Sequence, residues 1–152
     1  MPNYWLFKSE PQSYSIDDLQ RDGTTPWSGV RNYQARNFMQ AMSVGDEAFF
    51  YHSSCAVPGI VGVCLVVRTA YPDATAFDAR SEYYDPKSSP DKPRWFNVDV
   101  EFVRAFSGVV PLTQLREIAA LAKMPLLQPG QRLSVQPVRA AEWRAILKLA
   151  PK

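Results

Sequence analysis

The segment 95–106 alternates between apolar and polar side chains more regularly than any other part of the chain. Phe96, Val98, Val100 and Phe102 fall on one face, and charged or polar residues occupy much of the other. A repeat of two residues is the spacing of a strand that buries one face. The segment therefore predicts a strand in a sheet with one covered side.

Other segments predict the strands beside it. Residues 4–8 mix aromatic and aliphatic side chains and end at a turn, and residues 133–138 form a short apolar run. Residues 48–52 and 59–71 are rich in Val and aromatics and are placed to pair as a hairpin. The apolar run 59–67 is far shorter than the ~20 residues of a membrane-spanning helix, so it indicates a buried strand.

Helices are predicted at 16–21, 33–42, 112–123 and 140–149, from capping signals and apolar spacing. Ser15 begins a capping-box pattern before the first helix, Gly23 ends that helix, and Asn32 can cap the second. Residues 24–29 and the proline-bearing segment 72–94 are predicted to be loops. Helices and strands interleaved without a regular strand–helix–strand repeat predict an α+β domain on a small curved sheet or barrel.

Length and charge narrow the class of protein. A chain of 152 residues has the usual size of one domain, so we expect a single domain over 1–152. The net charge of +2 and the pI of about 8.6 permit a polyanionic partner without demanding one. If nucleic acid is bound, few phosphates are contacted, and stacking or pocket filling supplies much of the affinity.

The N-terminal residues and the cysteines indicate in which cellular compartment the protein is expected. The first eight residues show neither a basic leader nor an apolar stretch of signal-peptide length, and Cys55 and Cys64 lack the paired spacing of a zinc site or disulfide framework. We therefore expect a cytoplasmic protein.

Candidate catalytic and metal-binding groups are few. His52 is the sole histidine, and although Ser53 follows it, adjacent residues of a strand point to opposite faces. A structural histidine at the end of a strand is the favoured interpretation. One histidine and two separated cysteines cannot supply four tetrahedral metal ligands, and no phosphate-cradling glycine motif is present. We expect no metal, no cofactor and no catalytic residue.

The segment 26–37 concentrates aromatic and polar side chains. Trp27 in a loop, close to Ser, Asn, Tyr and two Arg residues, supplies a stacking face, hydrogen-bonding groups for base edges and cations for phosphates. Core packing is an equally good explanation of Trp27 and Tyr33 on composition alone. A second cluster, Pro93-Arg94-Trp95, closes the long loop, and its Trp can equally be a core residue that opens a strand.

The motifs along the chain resemble those of the EVE domain family, which belongs to the PUA-like superfamily. The matching segments span nearly the whole chain, and they read YWLFKSEP (4–11), WSGVRNYQARN (27–37), FYHS (50–53), PGIVG (58–62), YYDPKS (83–88), PRW (93–95), VDV (98–100) and LSVQPV (133–138). One departure is Arg139, which stands where such sequences often carry Thr before the last helix, so we expect the N-cap there to be lost or shifted.

The resemblance implies a PUA-like mixed pseudo-barrel with flanking helices. It also implies a pocket for a modified base, by similarity to related domains that hold a methylated adenine in an aromatic cage. Lys8, Ser9, Trp27 and Ser28 look like positions that line this cage. Asn32, Tyr33, His52 and Ser53 are candidates for its polar wall.

These observations together lead to the hypothesis that the chain is a reader of DNA or RNA and has no enzymatic activity. A flipped or unpaired base, methylated or hydroxymethylated, stacks on Trp27 while Arg31, Arg36 or Arg94 holds phosphate. Two alternatives stay open. One is an enzyme acting on a modified base or nucleotide with His52 as base, and the other is a protein-binding module that uses the Tyr83-Tyr84 loop.

Overall fold

The computed structural model describes residues 3–130 and 132–151. Its strands are β1 Tyr4–Ser9, β2 Thr24–Pro26, β3 Glu47–His52, β4 Gly59–Pro72, β5 Phe96–Pro111 and β6 Val135–Val138. Its helices are α1 Ile16–Asp22, α2 Tyr33–Gln40, α3 Leu112–Leu115 and α4 Ala140–Leu149, with short 3-10 turns at Ala74–Phe77, Ala119–Leu121 and Pro125–Leu127.

The strands form one mixed sheet in the order β2-β5-β4-β3-β1-β6. β1 runs parallel to β3, with Tyr4 opposite Glu47, and every other neighbouring pair is antiparallel. The predicted hairpin is confirmed as β3 and β4. Within the described residues the two edge strands, β2 and β6, do not pair with each other, so the sheet is open. The predicted α+β class with flanking helices is confirmed.

Both faces of the sheet are covered because alternate side chains of its central strands point to opposite sides. Trp5, Phe7 and Phe50 belong to a first core, which α1 and α2 complete. Leu6 and Phe49 belong to a second core, to which the chain from α3 to α4 contributes. The sheet is therefore the middle layer of three, and the site described below lies on the side of α1 and α2.

Two sequence predictions of secondary structure were wrong. Residues 24–29 were expected to be loop throughout, but Thr24–Pro26 pairs with β5, with Thr24 opposite Glu101. A helix was expected over 112–123, but Ile118 is extended (φ −95°, ψ 112°) and separates α3 from a 3-10 turn. Leu115, Ile118 and Leu121 nevertheless all pack in the second core.

The last helix begins where the sequence predicts, although no Thr precedes it. Arg139 occupies the N-cap position without making a side-chain cap to the helix backbone. The buried carboxylate of Glu142 instead accepts the Arg139 backbone N–H at 2.8 Å and the Arg139 guanidinium at 2.8 Å. These two hydrogen bonds, both donated by Arg139, hold the start of α4 in place. No described helix combines the length and apolar character needed to cross a bilayer.

Candidate nucleic-acid interface

A cleft of about 640 Å³ opens where the β1–α1 turn, the β2–α2 connection and the loop before β5 meet. Its volume lies in the range of pockets that enclose small ligands, about 300–1,000 Å³. Hydroxyl, charged and aromatic side chains from all three segments line it. The lining residues are Lys8, Ser9, Glu10, Ser13, Tyr14, Thr25, Pro26, Trp27, Ser28, Gly29, Val30, Arg31, Glu82, Tyr83 and Ser134.

Trp27 joins this cleft to the first core. Its ring packs against Phe7 at a centroid distance of 5.0 Å and against Phe50 at 5.4 Å, and Tyr14 lies edge-on at 6.5 Å. Its backbone N–H donates to Val98 O at 2.7 Å, which continues the pairing of β2 with β5. Trp27 is only 8% exposed. Both sequence interpretations thus describe it: it is a core residue that also lines the cleft.

The indole N–H of Trp27 has no acceptor among the described residues. Two side-chain atoms in the described part of the chain are fully enclosed and lack a hydrogen-bond partner, the Asn97 amide nitrogen and the Gln136 amide oxygen. The Trp27 N–H is not one of them. Trp27 lines the cleft, and this N–H is neither hydrogen-bonded nor fully enclosed. The inner wall therefore offers an aromatic surface and one free donor.

Tyr14 forms part of the same wall. Its hydroxyl donates to Asp22 at 2.8 Å, and its backbone carbonyl accepts the Ser9 hydroxyl at 2.5 Å. Burial, with the hydrogen bond to Asp22 as the next cause, raises the pKa of Tyr14 to about 12. The phenol is therefore neutral at every physiological pH.

Gly29 lets the β2–α2 connection pass close beneath Tyr83. It has φ +84°, a left-handed conformation that favours glycine, and an added Cβ would lie 2.8 Å from atoms of the Tyr83 ring. The backbone N–H of Gly29 donates to Asp73 Oδ2 at 2.8 Å. Tyr83, on the loop before β5, is thereby brought into the wall of the cleft.

Arg31 ties the two loops together. Its Nε and Nη2 donate to the Tyr83 carbonyl at 3.0 and 2.8 Å, Nη2 also donates to Thr75 Oγ1, and Nη1 donates to Val30 O and to Asp73. A guanidinium has five N–H donors, and all five are engaged. Contact of Arg31 with a phosphate stays a prediction, and it would require the exchange of one of these bonds.

Asp73 is the buried acceptor at the centre of this arrangement. Besides Gly29 and Arg31, it accepts the Thr75 N–H at 2.9 Å and the Thr75 hydroxyl at 2.6 Å, and its side chain is fully buried. Burial acts to raise the pKa of Asp73, but the hydrogen bonds from Thr75, Gly29 and Arg31 outweigh burial and lower it. The carboxylate is therefore held ionised inside the protein.

A stack of aromatic rings and guanidinium groups lies beside the cleft. Tyr33 stacks on Trp95 at 4.7 Å, and the guanidinium of Arg36 lies 4.8 Å from the Tyr33 centroid. The guanidinium carbon of Arg31, a residue that lines the cleft, lies 5.4 Å from the Trp95 centroid. Arg36 also donates to the backbone carbonyl of Arg94 at 2.9 Å. Tyr33 is 51% exposed, so this stack presents a ring to solvent.

Asn32 and His52 hold helix starts. The Asn32 side chain accepts the Ala35 N–H at 2.9 Å, as the sequence predicts for an N-cap. His52 Nε2 accepts the backbone N–H of Ile16 at 3.1 Å, at the start of α1. Burial lowers the pKa of His52, against a smaller opposing effect of Asp17 and Asp18. His52 is therefore neutral and has its acceptor nitrogen occupied, which agrees with the structural interpretation of this residue.

Of the residues predicted for the site, the structure brings Lys8, Ser9, Trp27, Ser28 and Arg31 to the cleft. Asn32, Tyr33, Arg36, His52, Ser53 and Arg94 lie outside its lining. Lys8 is near the rim, but its ammonium lies 5.9 Å from the Tyr51 centroid. The Ser53 backbone N–H donates to Ser9 O at 2.9 Å and fastens β3 to β1. The binding roles of all eleven residues stay predictions.

Sequence reasoning missed much of the remaining lining. Glu10, Ser13, Tyr14, Glu82 and Tyr83 line the cleft, and none was a candidate base-binding residue. Tyr83 was considered only for protein binding, although it lies in the motif YYDPKS, and Glu10 lies in YWLFKSEP. Their membership of the matching motifs was the available signal.

A mixed, open sheet between two helical layers, with one aromatic cleft at its first core, defines an α+β domain of the PUA-like class. The chain belongs to the EVE domain family, because the model of that family matches residues 3–149. Human thymocyte nuclear protein 1 is 45% identical over an alignment of 170 positions, which covers 100% of this chain and 76% of that protein.

Solved structures agree with this assignment. A Pseudomonas putida protein of known crystal structure is 54% identical, with a TM-score of 0.95 over 96% of this chain and 98% of that chain. Human THYN1 in complex with 5-methylcytosine-containing DNA is 44% identical, with a TM-score of 0.92 over 97% of this chain and 96% of that chain.

Proposed function

We propose that this protein is a reader that binds DNA by receiving a modified base, 5-methylcytosine in the first instance, in the cleft beside Trp27. The observation that carries the proposal is the inner wall of the cleft, where a nearly buried indole keeps its N–H free. A planar heterocycle with an acceptor atom can contact the ring and accept this hydrogen bond. The relative solved with 5-methylcytosine-containing DNA supports the choice of ligand.

The energy of aromatic contact and the cost of extrusion from a duplex are of similar size. Contact with an aromatic side chain contributes ~1–3 kcal/mol per base, and extrusion from a duplex costs a few kcal/mol. Unpaired bases should therefore bind more tightly than paired ones. Burial of one methyl group contributes about 0.8 kcal/mol, about fourfold in Kd. We expect a modest preference for 5-methylcytosine over cytosine.

We further propose that binding is not followed by chemistry. The sole histidine, His52, lies outside the lining of the cleft, and its acceptor nitrogen holds the backbone of α1. Mass spectrometry of an oligonucleotide incubated with the protein should return the starting mass. If the wild type changes the mass of the base and the His52→Gln variant does not, the result would support the enzyme alternative instead.

The main test is anisotropy of labelled single-stranded oligonucleotides that contain one 5-methylcytosine or one cytosine, with a matched RNA as a further arm. Trp27→Ala should reduce affinity at least about tenfold, and Trp27→Phe, which keeps an aromatic ring but lacks the N–H, should reduce it less. Trp143→Phe is the matched control, since Trp143 packs in the second core. Equal affinity for both oligonucleotides, unaffected by Trp27→Ala, would contradict the proposal.

A further inference from the structure

Two exposed carboxylates from different segments of the chain line the cleft, and the part that they line is called its mouth. Glu10 belongs to the β1–α1 turn and Glu82 to the loop before β5, and both line the cleft as exposed residues. Across residues 3–130 and 132–151, neither forms an ion pair. Both carboxylates thus keep acceptor capacity for the hydrogen bonds of a ligand.

Arg31 has no free donor for a ligand of the cleft. All five donors of Arg31 are engaged within the protein, and one of them faces the buried carboxylate of Asp73 at 3.1 Å. The Lys8 ammonium lies over the ring of Tyr51, which packs in the second core. Glu10 and Glu82 therefore offer carboxylate oxygens that no ion pair engages, which suits a group that carries N–H donors.

Tyr83 lines the cleft together with Glu10 and Glu82, and both carboxylates act on its phenol. Burial raises the pKa of the Tyr83 phenol most, Glu82 raises it further, and Glu10 adds a smaller effect in the same direction against the opposing effect of Arg31. Tyr83 itself is fixed by its carbonyl, which accepts two bonds from Arg31. The ring of Tyr83 is therefore held in the same cleft that both acids line.

The indole N–H of Trp27 is the independent observation that points to a ligand. This side chain is 8% exposed, lines the cleft and has an unpartnered donor among the described residues. The cleft thus presents a donor at its inner wall and acceptors at its mouth. Cytosine and its methylated form offer ring acceptors on one side and an amino group, a donor, at the 4 position. Thymine carries the same methyl group but has an acceptor oxygen at the 4 position.

We propose that Glu10 and Glu82 select bases that present an exocyclic amino group, so that the protein binds 5-methylcytosine in preference to thymine. This inference rests on the proposed function and adds the feature that distinguishes two bases with the same methyl group. A carboxylate accepts a hydrogen bond from the amino group, whereas it repels the thymine oxygen.

The experiment measures Kd for three single-stranded oligonucleotides that differ only in one central base: 5-methylcytosine, cytosine or thymine. Single strands remove differences in base pairing. Glu10→Gln, Glu82→Gln and the double variant are compared with Glu117→Gln, which removes the same charge at an exposed residue outside the cleft lining. Removal of negative charge strengthens nucleic-acid binding in general. The readout is therefore the ratio of the Kd for the thymine oligonucleotide to the Kd for the 5-methylcytosine oligonucleotide.

For the wild type we expect thymine to bind about tenfold more weakly than 5-methylcytosine, from one hydrogen-bonded base edge. The ratio should fall towards one in the double variant and stay near tenfold in Glu117→Gln. Equal binding of thymine and 5-methylcytosine, both tighter than cytosine, would overturn this inference and leave the proposed function standing. A wild-type ratio that persists in the double variant would also overturn it. Absence of any preference for 5-methylcytosine over cytosine would count against the proposed function itself.

Discussion

Replacement of Asp73 by asparagine tests whether the buried carboxylate holds the cleft together. Asp73 Oδ2 accepts the Gly29 N–H and the Arg31 guanidinium, while Oδ1 accepts both bonds from Thr75. In the Asp73→Asn variant one carboxylate oxygen becomes an amino group, which is a donor and cannot accept either of the bonds on its side. The Arg31 side chain, 22% exposed in its pair with Asp73, also loses its counter-charge.

The cost can be worked from these contacts. Each buried donor left without an acceptor costs about 1–3 kcal/mol, and removal of one partner from a buried ion pair costs about 3–5 kcal/mol. These figures describe overlapping effects, so they are not added. Because Arg31 keeps some exposure, we expect the free energy of unfolding to fall by about 3 kcal/mol. Oligonucleotide affinity should fall too, since Gly29 and Tyr83 lose their shared anchor.

Urea denaturation at pH 7, followed by circular dichroism, measures the stability change, with the exposed Asp91→Asn as the matched control. The pH dependence gives a second check. The pKa of Asp73 is lowered on folding, so its contribution is complete above its ordinary value of 3.8 and is lost as the pH falls through the lower value of the folded state. The gap between wild type and Asp73→Asn should narrow in that acidic range. A loss below about 1 kcal/mol at pH 7 would refute the reasoning.

Two other perturbations have clear expectations. Gly29→Ala should lower the free energy of unfolding by at least about 1 kcal/mol and weaken oligonucleotide binding, because the left-handed backbone is strained and the Cβ displaces Tyr83. Gly45→Ala shares the strain (φ +97°) but has open space around it, so in the same assays it should leave binding intact. The pKa of His52 is lowered on folding, so its stabilising effect is complete above 6.5 and is lost as the pH falls through the folded value. Melting temperatures measured from pH 7.5 to 4.5 should show this decline, and an equally steep decline in His52→Gln would assign it to other groups.

Local signals explain the elements that the sequence predicted well. α4 follows from its apolar spacing and occupies the predicted residues. α2 begins at Tyr33, directly after its N-cap Asn32, because a short polar side chain caps a helix without help from distant residues. β2 has no such signal, since three residues become a strand only through pairing with β5. The 112–123 segment was misjudged because its helical composition competes with burial of every third residue in the second core.

The residues of the cleft likewise divide into those that a local motif identifies and those that only the folded chain brings there. Trp27 and Ser28 could be identified because they lie within one dense motif. Tyr83 joins them only through hydrogen bonds between residues 52 positions apart, which no pattern in the sequence displays. Arg31 was expected to hold phosphate because a basic residue in a candidate nucleic-acid site suggests that role. The buried position of Asp73, which engages Arg31, is a property of the folded chain alone.

The placement of β1 has a consequence for synthesis on the ribosome. This strand is translated before both of its neighbours, β3 and β6, and its register sets Tyr4 against Val138, far along the chain. Contacts so distant in sequence form late, and unpaired apolar strands invite aggregation while they wait. Trp5, Leu6 and Phe7 thus stay without their final cover until β6 has been translated, so β1 is the strand of this sheet that waits longest for its partners.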